Sequence, residues 1–217
     1  MNDKVSQIMA KLLAPDPKTL IHKYVPTEKA SKIVNIMTKK WQDAAYEEFV
    51  ALDIETTGLE KSHEYILEVA AIRYRECVEV EKYVSLINPL VRIPRYVSQI
   101  HGITNKTVEN APTIDIVLPQ LLNFMGENII VAHNANFDIG FIEVWARRLG
   151  TYPCWNYIDT VSAAKKVIKG LPNYKQPTVL NAIGYKQDTY HRAEDDVRGC
   201  AEIMKYVFDK LRTPVMV

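Results

Sequence analysis

The sequence predicts a mixed α/β domain: a central sheet of about five strands flanked by helices, behind an N-terminal helical extension. Three observations predict it. From Phe49 onward, short apolar runs of strand type alternate with stretches of helical spacing, as in chains that interleave strands and helices around one sheet. The first three runs are joined by connections too short for a crossover helix, which favours an antiparallel meander. The start of the chain differs in composition, with Lys4, Lys11, Lys18, Lys23, Lys29, Lys32, Lys39 and Lys40 against only Asp3, Asp16, Glu28 and Asp43. Residues 1–46 are therefore read as the extension and residues 47–213 as the main domain, a size that suits one ordinary domain plus something small.

In the extension, amphipathic stretches at 5–13 and 27–46 are split by the turn-prone segment Ala14-Pro15-Asp16-Pro17. They read as solvated helices packed on the main domain, or as a surface for nucleic acid or a protein partner; composition leaves both open. Phe49-Val50-Ala51-Leu52-Asp53-Ile54 is a buried-strand run, and residues 66–75 and 78–87 follow as strands. Ile114, Val117, Leu118, Leu121 and Leu122 share one helical face over 113–125, with Thr113 as cap. A strand at 128–132 and a helix at 136–149 come next, the helix ended by Gly150. Residues 157–158 are a short strand before a helix at 160–169. A brief helix at 178–183 precedes the last, 193–211, stopped before Pro214.

Hydrophobic residues make up 47% of the chain, enough for a substantial core. The formal net charge of +1 argues for neither an acidic nor a basic partner, although a local basic groove is compatible with it. No apolar run is long enough to cross a bilayer, and the first residues do not resemble a secretory leader. Cys77, Cys154 and Cys200 lack C-x-x-C spacing and read as reduced packing thiols. The expected location is cytoplasmic, without a membrane partner.

Three acidic groups stand at the ends of these elements. Asp53 and Glu55 are two apart on a strand, so both carboxylates project to one side. An ionised acid after an interior run such as Phe49–Leu52 is costly unless a cation or donor meets it. Asp138 begins a helix directly after a buried strand, where sheet proteins bind ligands. His191 precedes Glu194, Asp195 and Asp196 at the start of the final helix. Singly, each has an ordinary structural reading: a turn cap, a helix-dipole acid beside the cap Asn136, and a capped helix start.

Together, and in this order, they resemble a known family. ALDIETTGL at 51–59, HGIT at 101–104, VAHNANFDIGFI at 131–142 and HRAEDDV at 191–197 resemble the motifs of the DEDDh 3′–5′ exonucleases. These are DnaQ-like proteins related to the epsilon subunit of DNA polymerase III, with a ribonuclease H-like fold. The resemblance runs over about residues 49–211. It implies that Asp53, Glu55, Asp138 and Asp196 bind two divalent ions, Mg²⁺ or Mn²⁺, and that His191 is the general base. A sister branch carries Tyr four residues before the last acid; Arg192 stands there, which favours the histidine variant. Asp195 competes with Asp196, and the family register selects Asp196. The resemblance also sets Thr56, Thr57 and Leu59 against the terminal nucleotide, with His101 and Phe137 as further substrate contacts. Leu59 and Phe137 read equally well as core.

The chemistry agrees with the resemblance. Hydrolysing a phosphodiester brings an anionic nucleophile to an anionic phosphorus and releases an oxyanion, and two ions ~3.5–4 Å apart serve both ends. Hard divalent ions prefer carboxylate oxygens, and an imidazole of pKa ~6.5 accepts a proton near neutrality. The expected function is release of nucleoside monophosphates from the 3′ end of DNA or RNA, with single-stranded or 3′-terminal substrate as partner. Two alternatives remain: a proofreading subunit bound to a separate polymerase, or another protein, through the extension, and a non-catalytic nucleic-acid-binding module.

Overall fold

The computed structural model describes residues 31–187 and 192–212. In chain order the elements are β1 (Lys32–Ile33), α1 (Lys39–Glu47), β2 (Glu48–Thr56), β3 (Ile66–Arg75), β4 (Val78–Leu86), α2 (Arg95–His101), α3 (Ile114–Met125), β5 (Ile129–Ala132), α4 (Asn136–Arg148), β6 (Asn156–Asp159), α5 (Thr160–Val167), α6 (Gln176–Ala182) and α7 (Ala193–Arg212). The strands form one mixed sheet in the order β1-β6-β5-β2-β3-β4.

The meander β2-β3-β4 is antiparallel throughout. Its second turn consists of Glu76 and Cys77, with φ of 47° and 66°, the left-handed backbone that matches a two-residue hairpin to strand twist. β5, β6 and β1 then add in parallel on the other side of β2. β2 is thus interior, and both its faces are covered. Phe49 and Ala51 face a layer containing α5, α6 and α7, while Val50, Leu52 and Ile54 face α3 and α4. Two covered faces explain an unbroken apolar run where a half-exposed strand would alternate. On α7 the buried residues Ala193, Val197, Cys200, Ala201, Met204, Val207 and Phe208 form one helical stripe against the sheet. Phe49 anchors this layer, stacked on Tyr74 at 5.0 Å and lying 6.3 Å from Phe208.

The fold departs from the sequence expectation in four places. Residues 27–46 were expected to be helical, but the described part opens with strand β1, paired Lys32↔Asn156 and Ile33↔Tyr157. Ile33 and Val34 are β-branched, and the open edge of β6 offers them a ladder. Among the described residues of that stretch the helix is α1, after a turn in which Asn35 Oδ1 accepts the Met37 amide. The sheet therefore has six strands rather than about five; the expected helix at 5–13 lies outside the described residues. Helix α2, starting after Pro94 and closed by Gly102 at φ 75°, was not anticipated. Thr113 occupies the cap position of α3 without a side-chain cap bond. Asn136 lies inside α4 rather than capping it, and its Oδ1 accepts from the Tyr157 hydroxyl at 2.7 Å.

Cys77, Cys154 and Cys200 form no disulfide with one another; Cys200 is buried, Cys77 half-buried and Cys154 exposed. Among the described residues no helix is long and apolar enough to cross a membrane.

Candidate active site

The site begins where β2 outruns its neighbour. The β2–β5 ladder reaches Ala51↔Val131, and β5 ends at Ala132. Ile54 lies past that ladder, and its amide donates to Oδ1 of Asp138 at 3.2 Å. Asp138, in the first turn of α4 and 3% exposed, is therefore tied to the residue between Asp53 and Glu55. Those two side chains continue the Phe49, Ala51 alternation and so face α7.

From that side α7 brings Asp196 in its first turn. Asp53, Glu55 and Asp196 each offer one carboxylate oxygen, and the three oxygens lie within 4.8 Å of one another. Asp196, not Asp195, joins the two strand acids. Asp138 stands beside this trio rather than in it, with one oxygen occupied by the Ile54 amide. Asp196 is held in turn by two glutamines: Gln187 Nε2 donates to its Oδ1 and Gln176 Nε2 to its backbone oxygen, both at 2.7 Å. Gly199 makes room for them, since a Cβ there would come within 2.5 Å of Gln176 Nε2 and of Gln187 Oε1.

Crowded carboxylates out of water resist ionisation. Burial, then the charges of Asp138, Asp196, Glu55 and Glu68, raises the Asp53 pKa well above the carboxylate range. Burial, with Asp196 and Glu68, pushes Glu55 up to about 8, against the opposing pull of Arg192. Asp138 is likewise pushed to about 8 by burial, although amide hydrogen bonds favour its charged form. A bound divalent cation removes both penalties. The donor set fits a hard ion: three convergent carboxylate oxygens, while Cys200 is buried and turned to the Thr160 hydroxyl.

The remaining expected residues are placed as follows. His191 lies outside the described residues. The Thr56 hydroxyl donates to the Gly58 carbonyl at 2.6 Å. That of Thr57 donates to Glu64 at 2.5 Å and accepts the Tyr65 amide at 2.9 Å, so both threonine side chains brace the turn after β2. Leu59 is 86% exposed, which removes its core alternative. Phe137 is half-buried against Phe141, with ring centroids 4.9 Å apart. His101 is buried at the end of α2, where its Nδ1 accepts the Ile103 amide at 3.0 Å. His133 is a structural tie. Its Nε2 lies 2.9 Å from the Tyr174 carbonyl and its Nδ1 2.8 Å from the Thr160 hydroxyl. Because a carbonyl only accepts, the Nε2 proton is assigned from this network.

Sequence reasoning missed Glu68, Gln176 and Gln187. Glu68, on β3, is 2% exposed and is the cross-strand partner of Glu55. A lone acid within Ile66-Leu67-Glu68-Val69-Ala70-Ala71-Ile72 was its available signal. The two glutamines sit in polar surroundings that give none.

Comparison with known proteins identifies the family. The profile of the RNase T family, described as exonuclease, matches residues 50–204. The PolC-type DNA polymerase III of Clostridium perfringens is 35% identical over 166 residues, covering 76% of this chain. The chain spans only 12% of that relative's length. The DNA polymerase III subunit epsilon of Aquifex aeolicus is 32% identical over 75% of this chain and 81% of its own length. Among solved structures, E. coli exonuclease I in complex with a dT13 oligonucleotide superposes with a TM-score of 0.68 at 18% identity. It covers 76% of this chain and 42% of its own. That likeness shows the ribonuclease H-like fold. With the family profile matched over most of the sheet and into α7, this chain belongs to the RNase T exonuclease family, as a DnaQ-like 3′–5′ exonuclease domain.

Proposed function

We propose that the chain hydrolyses phosphodiester bonds at the 3′ end of nucleic acid, releasing nucleoside monophosphates, with Asp53, Glu55, Asp138 and Asp196 as the metal-binding acids. The observation that carries this is the meeting of Asp53, Glu55 and Asp196, from two elements remote in sequence, within 4.8 Å. Two divalent ions, Mg²⁺ or Mn²⁺, would supply an activated water and neutralise the leaving oxygen. The protein's own part is to hold the acids. Asp53 and Glu55 are fixed by the interior strand, Asp196 by Gln187, and Asp138 by the Ile54 amide. His191 takes the proton of the attacking water. The exposed Leu59 wedges against the terminal base, the backbone of Thr56 and Thr57 lines its sugar, and His101 and Phe137 border the nucleotide.

Single-stranded or 3′-terminal DNA is the proposed substrate class, in line with the oligonucleotide bound by exonuclease I. A second reading, a proofreading domain beside a separate polymerase reached through residues 1–46, is favoured by the epsilon relative, of which this chain matches 81%. A 3′-labelled oligonucleotide tests the function, offered as single-stranded DNA, duplex DNA and RNA with Mg²⁺, Mn²⁺ or EDTA. Metal-dependent release of labelled mononucleotide is expected. No release with any substrate, or release that survives EDTA, would overturn the reading.

A further inference from the structure

Glu68 occupies a costly position. It is the lone acid in the apolar run Ile66–Ile72 of β3, 2% exposed, and its register partner is Glu55. Cross-strand partners project to the same face, so a further carboxylate stands beside Asp53, Glu55 and Asp196, where its charge adds to their repulsion. An alanine, as at Ala70, would fill the strand without that repulsion or the desolvation of a charge.

Two contacts offset the cost, and both go to the start of α7. Glu68 Oε2 accepts the backbone amide of Ala193 at 3.2 Å, a buried bond between residues 125 apart in sequence. Glu68 Oε1 accepts from the Arg192 guanidinium, also at 3.2 Å. Ala193 is the first residue of α7, and first-turn amides find no acceptor within their own helix. The side chain that meets this one comes from the middle of the sheet, not from the preceding loop. Asp196 lies three residues further on. Gln176 and Gln187 also hold it, through its backbone and carboxylate oxygens. The first turn of α7 is thus tied both to β3 and to the two glutamines.

We propose that Glu68 is a positioning residue for the hydrolytic site: by capping α7 from β3, it fixes the distance at which Asp196 meets Asp53 and Glu55. The inference rests on the reading of those three acids as metal ligands. Without the clamp, the first turn of α7 is free to tilt from the sheet, and Asp196 leaves the shared ion before the helix itself unpacks. Arg192 is part of the same device. Its guanidinium neutralises Glu68 and also opposes the rise in the Glu55 pKa.

The test compares the full chain with Glu68→Leu, Glu68→Gln, Arg192→Met, the Glu68→Leu/Arg192→Met pair, and Asp196→Asn. Mn²⁺ affinity is read by calorimetry and turnover on a single-stranded oligonucleotide by steady-state kinetics. Glu68→Leu is expected to lose about 10- to 100-fold in Mn²⁺ affinity and kcat, the usual cost of removing a partner that orients a metal ligand. KM for the oligonucleotide should stay at its wild-type value. Glu68→Gln keeps the shape and an oxygen for the Ala193 amide, so it should recover most of that loss. The double variant should be no worse than Glu68→Leu, because both changes break one device. If Glu68→Leu does not fold, Arg192→Met carries the comparison: it should lose Mn²⁺ affinity while Glu68→Gln stays near wild type, and wild-type affinity in Arg192→Met overturns the proposal. So do wild-type affinity and kcat in a folded Glu68→Leu, or losses that multiply in the double variant. Wild-type Mn²⁺ affinity in Asp196→Asn would instead sink the ligand reading beneath it, whereas a weakened Asp196→Asn beside an unaffected Glu68→Leu sinks the clamp alone.

Discussion

The carboxylate of Asp138 accepts the amide of Ile54, the residue that separates Asp53 from Glu55. This bond gives Asp138 a structural task besides its charge, and the two are separable by substitution. Asp138→Asn keeps an oxygen for the Ile54 amide and removes a repelling charge, so the chelated protein should denature at or above the wild-type midpoint while hydrolysis collapses. Asp138→Ala leaves a buried amide unpaired and should cost about 1–3 kcal/mol of stability in addition to activity. Urea denaturation in EDTA beside a hydrolysis assay checks both. An active Asp138→Asn would remove this residue from the metal-binding set.

The acids also make stability depend on pH with a defined sign. In the fold Glu55 rises from 4.5 to about 8 and Asp138 from 3.8 to about 8, with Asp53 raised as well. Between those limits the folded chain holds protons that the unfolded chain has released, so stability falls as pH rises. Their contribution is fully present below the unfolded values and lost through the folded ones. In EDTA, the melting temperature should therefore decline from about pH 5 to about pH 8, and Glu55→Gln should flatten the decline. Mn²⁺ competes with those protons, so the increase in melting temperature on adding it should grow across the same window. An increase that shrinks toward pH 8 would place the ion elsewhere.

How much of this was legible depends on the range of the interactions. Asp53 and Glu55 could be paired from sequence because a strand has a period of two, and the interior position of β2 followed from its unbroken apolar run. The choice of Asp196 over Asp195 required the resemblance first and the rotational phase of α7 afterwards. Glu68 shows the limit. Its partners at 192 and 193 lie more than a hundred residues away, and no local pattern encodes which distant helix a buried acid will cap. The two-residue β1 was invisible for the opposite reason, being too short to carry a period. Exposure of Leu59 was equally hidden, since an apolar residue after a turn is written the same way whether it packs or projects.

That exposure yields a clean substitution. Leu59 is 86% exposed at the end of the turn braced by Thr56 and Thr57, so Leu59→Ala should leave stability within about 0.5 kcal/mol of wild type. If the side chain stacks on the terminal base, KM for a short oligonucleotide should rise by about tenfold, in the range of ~1–3 kcal/mol per stacked base. Steady-state kinetics on a single-stranded substrate, beside a thermal melt, separates the two effects. An unchanged KM would remove Leu59 from the nucleotide site.

The proposed general base calls for a measurement that the proposed metal-binding acids do not obscure. In that mechanism both His191 and the carboxylates would lose function on protonation, so each would depress activity on the acid side of a pH–rate profile. Raising Mn²⁺ to saturation displaces protons from the carboxylates and moves their limb to lower pH. What then remains should be a single limb near the ordinary imidazole pKa of ~6.5, with turnover rising as the ring becomes neutral. His191→Ala should lose that limb and slow kcat by about 10²- to 10⁴-fold, the usual contribution of a positioned base. Its Mn²⁺ affinity should stay close to wild type, because the proposed ligands are the carboxylates and not the imidazole. A histidine variant that keeps the limb at saturating Mn²⁺ would assign the titration to another group and leave His191 without the proton-transfer role.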